Sequence, residues 1–206
     1  MLLVITKEHI NSVNSLKYLY DALHSRNIPY EIVRRRDPEL VKRKDIRGLI
    51  FPGSLFRITP YKIQEEKDFE LYYLYHFPNL PTIGICHGCQ LLMTYYGGTL
   101  IRDNNWWNYS TTIELDLSID NLFHNEKHIQ ILPVNFHDLP VVTRAAKNAG
   151  VREIAWITKF RDGRRHACAF EFEKKRVYGF MFHPENRKDT RPILYNFYDN
   201  VCLSSE

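Results

Sequence analysis

The sequence predicts an α/β fold: a mostly parallel central sheet with helices on both faces, and an antiparallel hairpin added in the C-terminal half. Three observations carry that prediction. Up to about residue 100, short apolar runs alternate with segments whose apolar residues recur at helical spacing, the pattern of successive strand–helix units. From Ile113 onward, apolar and polar residues alternate singly, as in half-buried antiparallel strands. Near the end of the first regime lies Gly84-Ile85-Cys86-His87-Gly88, a thiol version of the G-x-S-x-G strand–turn–helix elbow.

Taken in order, Met1 to Ile5 is apolar and short, a buried first strand. Asn11 or Ser12 can cap a helix that carries Val13, Leu16, Leu19, Tyr20 and Leu23 on one face. Tyr30 to Val33 and Gly48 to Phe51 are the next strands, the latter ending at Pro52-Gly53-Ser54. Phe69, Tyr72, Tyr73 and His76 mark a second helix. Pro81 to Ile85 leads into the elbow, and Leu91 to Tyr96 continues as a helix stopped by Gly97-Gly98. Ile113, Leu115 and Leu117, then Ile129 and Ile131, alternate with polar residues. Ile154 to Phe160 and Cys168 to Phe172 pair around an Asp162-Gly163 turn. Val177 to Phe182 is the final strand, and Thr190 caps a last helix presenting Leu194, Phe197 and Val201. No repeat or linker interrupts the chain, so residues 1–206 read as one domain.

The 206 residues are 44% hydrophobic, enough for one well-packed core. No apolar run reaches the length of a membrane span, and Met1 to Thr6 is too short for a signal peptide. Four cysteines in a chain of this size read as reduced thiols, so a cytoplasmic protein without a membrane partner is expected. The net charge of +4 is mild. The basic runs Arg34-Arg35-Arg36, Lys42-Arg43-Lys44 and Lys174-Lys175-Arg176 lack interleaved aromatics and read as solvated surface rather than a nucleic-acid site.

The elbow holds its central residue in a strained conformation, which requires close backbone approach at Gly84 and Gly88. It also leaves the Cys86 thiol over a helix N-terminus, where the dipole favours a thiolate. A thiol nucleophile needs a base, and the base needs an orienting group. His183 follows a strand directly, with Glu185 two residues on across Pro184, where extended chain projects both to one side. The predicted relay is Cys86–His183–Glu185. Backbone N–H groups of His87 and Gly53 are the candidate donors to an oxyanion. No metal or cofactor is called for. Cys86 and Cys89 form a C-x-x-C, but no second such pair accompanies it, and Cys89 reads as core.

Three blocks resemble the class I (triad) glutamine amidotransferase superfamily: Leu80 to Leu92, Tyr178 to Glu185 and Leu49 to Ser54. The resemblance spans nearly the whole chain. It implies a flavodoxin-like three-layer sandwich and a γ-glutamyl thioester on Cys86 that water releases. It further implies that Gln90 holds the amino-acid end of the substrate, with Asn135 and Phe136 lining the site. Within the superfamily, Asp68-Phe69-Glu70 and Gly97-Gly98-Thr99-Leu100 look most like γ-glutamyl hydrolases of the peptidase C26 kind. The chain departs from the family pattern in three places. The hole loop reads Pro-Gly-Ser where many relatives have Gly-Gly, His87 stands where an aliphatic, Tyr or Arg is common, and Met181 replaces a frequent Gln.

Three functions follow as alternatives. The first is a cysteine hydrolase cleaving the γ-glutamyl amide bond of glutamine or a small γ-glutamyl conjugate. The second is a glutaminase subunit that delivers ammonia to a synthetase partner. The third is an inactive binding relative. Self-association is also left open as a partner class. Trp106-Trp107 reads as a packed flap or edge, with a substrate lid as the sharper alternative, and His137 as either a loop histidine or a site residue. His124, His128 and His166 carry no signal.

Overall fold

The computed structural model describes residues 1–7, 14–55, 58, 69–158, 160, 163–172 and 176–204; at 14–15, 103–109 and 136–137 it describes the backbone alone. The expected cap at Asn11 or Ser12, Val13, Asp68, the Asp162 half of the turn and the side chains of Trp106, Trp107, Phe136 and His137 therefore lie outside the described residues.

Among the described residues, one nine-stranded sheet organises the chain. Its parallel part consists of β1 (Leu2–Ile5), β2 (Tyr30–Val33), β3 (Gly48–Phe51), β4 (Thr82–Ile85) and β9 (Val177–Phe180), laid out as β2-β1-β3-β4-β9. All four residues of β1, β3, β4 and β9 are buried. Strands covered on both faces read as unbroken apolar runs, so these were the easiest elements to see in the sequence. Helices α1 (Asn14–Ser25), α2 (Phe69–His76) and α3 (His87–Tyr95) belong to the crossovers, and the flavodoxin-like class expected from the sequence is the class observed.

The antiparallel part is larger than the single predicted hairpin. That hairpin is present as β7 (Val151–Ile157) and β8 (His166–Phe172), with β8 against β9. Beyond β7 the sheet continues into β5 (Thr99–Leu115) and β6 (Ile129–Val141), which pair along most of their length. Only Ile113–Leu115 of β5 also pairs with β7. The rest of β5 and β6 forms a two-stranded arm whose register shifts between Arg102 and Trp107. Two short helices, α4 (Asp120–Phe123) and α5 (Arg144–Asn148), sit in the connections, and Thr143 caps α5 by accepting from the Ala146 N–H at 3.2 Å.

The C-terminal helix departs from expectation at its start. It runs as α6 (Pro192–Asn196) and continues in a wider π-type turn through Phe197–Cys202. Leu194, Phe197 and Val201 are buried as predicted. The cap position, however, is Arg191, not Thr190. The Thr190 hydroxyl instead donates back to the Pro184 carbonyl at 2.7 Å. Proline at the first helical position supplies the start without a side-chain cap.

At the elbow, backbone packs directly on backbone. A Cβ on Gly84 would lie 2.5 Å from the Gly88 carbonyl carbon, and one on Gly88 would lie 2.0 Å from the Phe51 oxygen. Gly88→Ala is therefore expected to cost ~3 kcal/mol or more, because rigid backbone cannot yield. Gly150→Ala should cost only ~1–2 kcal/mol: its φ of +85° is strained for alanine, yet a Cβ there meets nothing within 4 Å. Urea unfolding midpoints of the two variants would check that order.

Candidate active site

Cys86 links β4 to α3 with φ 52° and ψ −105°. An L-residue rarely adopts positive φ, and here the two flanking glycines let the strand, the turn and the helix close around it. Its N–H donates to the Phe180 carbonyl at 2.6 Å, which ties the turn to β9. The thiol caps no helical N–H; it donates to the Asn135 carbonyl at 3.0 Å.

The second half of the site arrives where β9 leaves its neighbour. Past Phe180 the chain turns toward β6, with an antiparallel bridge between Val134 and Phe182. The His183 N–H donates to the Pro133 carbonyl at 2.9 Å. Pro184–Asn186 then form a 3-10 turn rather than the extended chain anticipated, and the turn is what brings Glu185 under the ring. His183 Nδ1 lies 2.7 Å from Glu185 Oε1, and both side chains are buried, at 3% and 1% exposure. Helix α1 packs against this turn, the Thr190 hydroxyl holds the Pro184 carbonyl, and Arg191 Nε donates to the Glu185 carbonyl at 3.1 Å.

In the neutral ring, with Nδ1 donating to the carboxylate, Nε2 carries the lone pair, and no hydrogen-bond partner for it is found in its buried position. Burial alone would push the imidazolium down. The Glu185 carboxylate, and then the Cys86 sulfur within interaction range, more than reverse this and hold the His183 pKa well above the usual value. The arrangement can accept a proton from the thiol at Nε2 and stabilise the resulting imidazolium.

The remaining predicted residues gather on the same end of the sheet. His87 begins α3, so its N–H is among the first-turn donors that no intrahelical carbonyl reaches. Gly53 is buried just beyond β3, two residues after the Phe51 carbonyl on which Gly88 rests. Gln90, one turn along α3 from Cys86, donates through Nε2 to the Asp138 carbonyl at 2.8 Å. Asn135 contributes its backbone oxygen to the thiol, while its own Oδ1 is buried and unpartnered. For Phe136 only the backbone position on β6, opposite Trp107, is described.

One residue at this site escaped the sequence reading. Asp138 is 2% exposed, and its Oδ1 has no hydrogen-bond partner. The signal was present: Leu132, Val134 and Asp138 fall on alternate positions of one strand face, and the first two are fully buried. A carboxylate in such a register is conspicuous once the strand is known.

Cys89 lies in the core, its sulfur 2.8 Å from where a Cβ on Gly179 would be, and burial pushes its thiol well up. None of the four cysteines forms a disulfide. Among the described residues no cluster of three or more His, Cys, Asp or Glu side chains could hold a metal, and no helix is long and apolar enough to cross a membrane.

The family model described as "Glutamine amidotransferase class-I" matches residues 9–201. The chain belongs to that family. A GMP synthase [glutamine-hydrolyzing] from Bacillus cytotoxicus is 28% identical over 199 residues, covering 91% of this chain and 33% of the relative. The chain thus spans about a third of the length of the curated relatives it matches. The glutaminase domain of CTPS from Trypanosoma brucei, solved with bound acivicin, superposes with a TM-score of 0.70 at 13% identity, covering 96% of this chain and 92% of that one. PurLQS from Thermotoga maritima does so with 0.72 at 16% identity, covering 95% and 96%. At those identities the structures speak for the fold. The named sequence relatives are GMP synthases rather than the γ-glutamyl hydrolases that the sequence pattern suggested.

For this class-I amidotransferase, Glu185→Gln should lower the His183 pKa further than Cys86→Ala does, because the carboxylate opposes burial more strongly than the sulfur. A raised folded-state pKa means that protonation favours the native state. That stabilisation is full below the ordinary value of 6.5 and is lost as pH rises through the raised value. Imidazole NMR titration of the three proteins, with urea unfolding on either side of that window, would check both points.

Proposed function

We propose that this chain hydrolyses glutamine through Cys86, His183 and Glu185 and delivers the ammonia to a synthetase, carried either on a partner or on a further part of the same assembly. The observation that carries the reading is the 2.7 Å bond from His183 Nδ1 to Glu185, which leaves Nε2 unpartnered within range of the thiol. Family membership supports a cysteine-dependent glutamine amidohydrolase, and the GMP synthase relatives, of which this chain covers only a third, favour a synthetase partner.

In the proposed cycle the thiol leaves the Asn135 carbonyl by a χ1 rotation and gives its proton to His183 Nε2. The thiolate attacks the carboxamide carbon of glutamine. The N–H groups of His87 and Gly53 receive the oxyanion. The imidazolium protonates the departing nitrogen, and ammonia leaves a γ-glutamyl thioester. Water, deprotonated by His183, then releases glutamate and restores the thiol. Glu185 holds the ring tautomer throughout and offsets the charge that develops on it.

Hydrolysis of γ-glutamyl conjugates is the second reading, supported by the Gly97-Gly98-Thr99-Leu100 pattern. The two differ in their need for a partner. Slow ammonia release from glutamine, accelerated by a co-purified synthetase, is expected on the first. Faster release from γ-glutamyl amines than from glutamine, with no partner present, would support the second. Cys86→Ala should abolish either activity, a loss of ~10⁴-fold or more, and a wild type inert toward both substrate classes with every partner would overturn both. Gly53→Pro, which deletes the N–H, should lower kcat by ~10²–10³-fold.

A further inference from the structure

The C-x-x-C of the elbow has one thiol in the proposed cycle and one outside it. Cys89 lies on the first turn of α3, three residues past Cys86. The Gln90 N–H donates to the Cys86 carbonyl at 3.0 Å, so the Cys86 carbonyl already belongs to the helical ladder. Residues at that spacing have Cα atoms ~5 Å apart, inside the range that a disulfide spans. A helical side chain leans toward the N-terminus of its helix, which aims the Cys89 sulfur back at the turn that holds Cys86.

Strand β9 locates both cysteines from the other side. The Cys86 N–H donates to the Phe180 carbonyl at 2.6 Å. The Cys89 sulfur fills the space beside the preceding residue, Gly179, where a Cβ would come within 2.8 Å of it. Both cysteines therefore stand against one dipeptide of one strand. Their surroundings separate what each can meet. Cys86 is 8% exposed and Cys89 1%, so a small oxidant arriving from solvent reaches Cys86 first. Burial holds the Cys89 thiol well above its ordinary range, so at neutral pH it stays protonated and does not compete for that oxidant.

We propose that Cys86 and Cys89 form a reversible disulfide when the protein meets hydrogen peroxide, with Cys89 as the resolving thiol. In the first step the Cys86 proton passes to His183 Nε2 and the sulfur attacks one peroxide oxygen. The O–O bond breaks, and the departing hydroxide takes the imidazolium proton and leaves as water. Cys86 is then a sulfenic acid. It rotates about χ1 from the Asn135 carbonyl toward α3, and the Cys89 sulfur attacks it. An S–S bond forms, the S–O bond breaks, and the hydroxide leaves with the Cys89 proton as a second water. The peroxide gains the two electrons that the two thiols lose, and a dithiol reductant returns them. The disulfide withdraws the Cys86 sulfur from any substrate and stops its oxidation short of the irreversible sulfinic acid. Only the thiol pair and its imidazole are required, whatever amide the site cleaves.

Reduced wild type and Cys89→Ala, each treated with a slight excess of hydrogen peroxide, provide the test. Wild type should lose two hydrogens, ~2 Da, with fragment ions placing the new bond between Cys86 and Cys89. Trapping of Cys86 sulfenic acid by dimedone should be ~10-fold or more greater in Cys89→Ala, which has nothing to resolve it. At higher peroxide the variant should gain ~32 Da at Cys86, a sulfinic acid that dithiothreitol does not reverse, while wild type recovers its thiols. Equal dimedone labelling of the two proteins, or a wild-type bond from Cys86 to Cys168 on β8, would overturn the proposal. These readouts use no glutamine: a wild type that hydrolyses glutamine yet oxidises straight to the sulfinic acid would overturn this inference alone. If Cys89→Ala does not fold, Cys89→Ser is read in the same way, and the position of the wild-type bond decides without any variant.

Discussion

Gly88 rests on the Phe51 carbonyl so closely that a Cβ would lie 2.0 Å from the oxygen, and that contact sets how α3 meets the sheet. Because α3 cannot stand further off, the turn into it must be sharp, and Cys86 takes up the strain at φ 52°. The same contact draws the end of β3, and with it Pro52 and Gly53, against the first turn of α3. One steric fact thus brings the Cys86 thiol, a helix N-terminus and the adjoining loop to one place.

The other half of the arrangement depends on β6. Three of its carbonyls receive hydrogen bonds from three different parts of the site: Pro133 from the His183 N–H, Asn135 from the Cys86 thiol, Asp138 from the Gln90 amide. A single strand therefore sets the spacing between thiol, imidazole and the residue one turn above the thiol. Strands are stiff and their carbonyls evenly spaced, so such a template holds positions better than a loop would. The ring itself is fixed from below by Glu185, whose turn is held in turn by Thr190 and Arg191.

What the sequence disclosed follows from the physics of each element. β3 is buried along its whole length and appeared as an apolar run with the boundaries later observed, Gly48–Phe51, while the half-buried edge strand β2 was legible as Tyr30–Val33 from its β-branched and aromatic residues. The glycine spacing around Cys86 and the His183-Pro184-Glu185 sequence carried their geometry in a few adjacent residues. Strand β5 did not. From Arg102 to Thr112 it is mostly polar, and the backbone pairs with β6, so no period of two could reveal it. Thr190 misled for a related reason: a hydroxyl before a helix usually caps it, but here a nearby carbonyl competed and won. Asp138 stayed hidden because its meaning lies in a strand register that only the pairing with β5 establishes.

The dependence on β6 and β9 bears on how the protein comes into being. Synthesis proceeds from the N-terminus, so β1 to β4 and the elbow emerge well before the strand that leads to His183. Until β6 and β9 are in place, the cysteine has neither the carbonyl of Asn135 nor the imidazole beside it. A ribosome-bound chain arrested short of β9 would carry a thiol no more reactive than a free one. The pairing of thiol and imidazole is thus completed only once that strand has been made and docked.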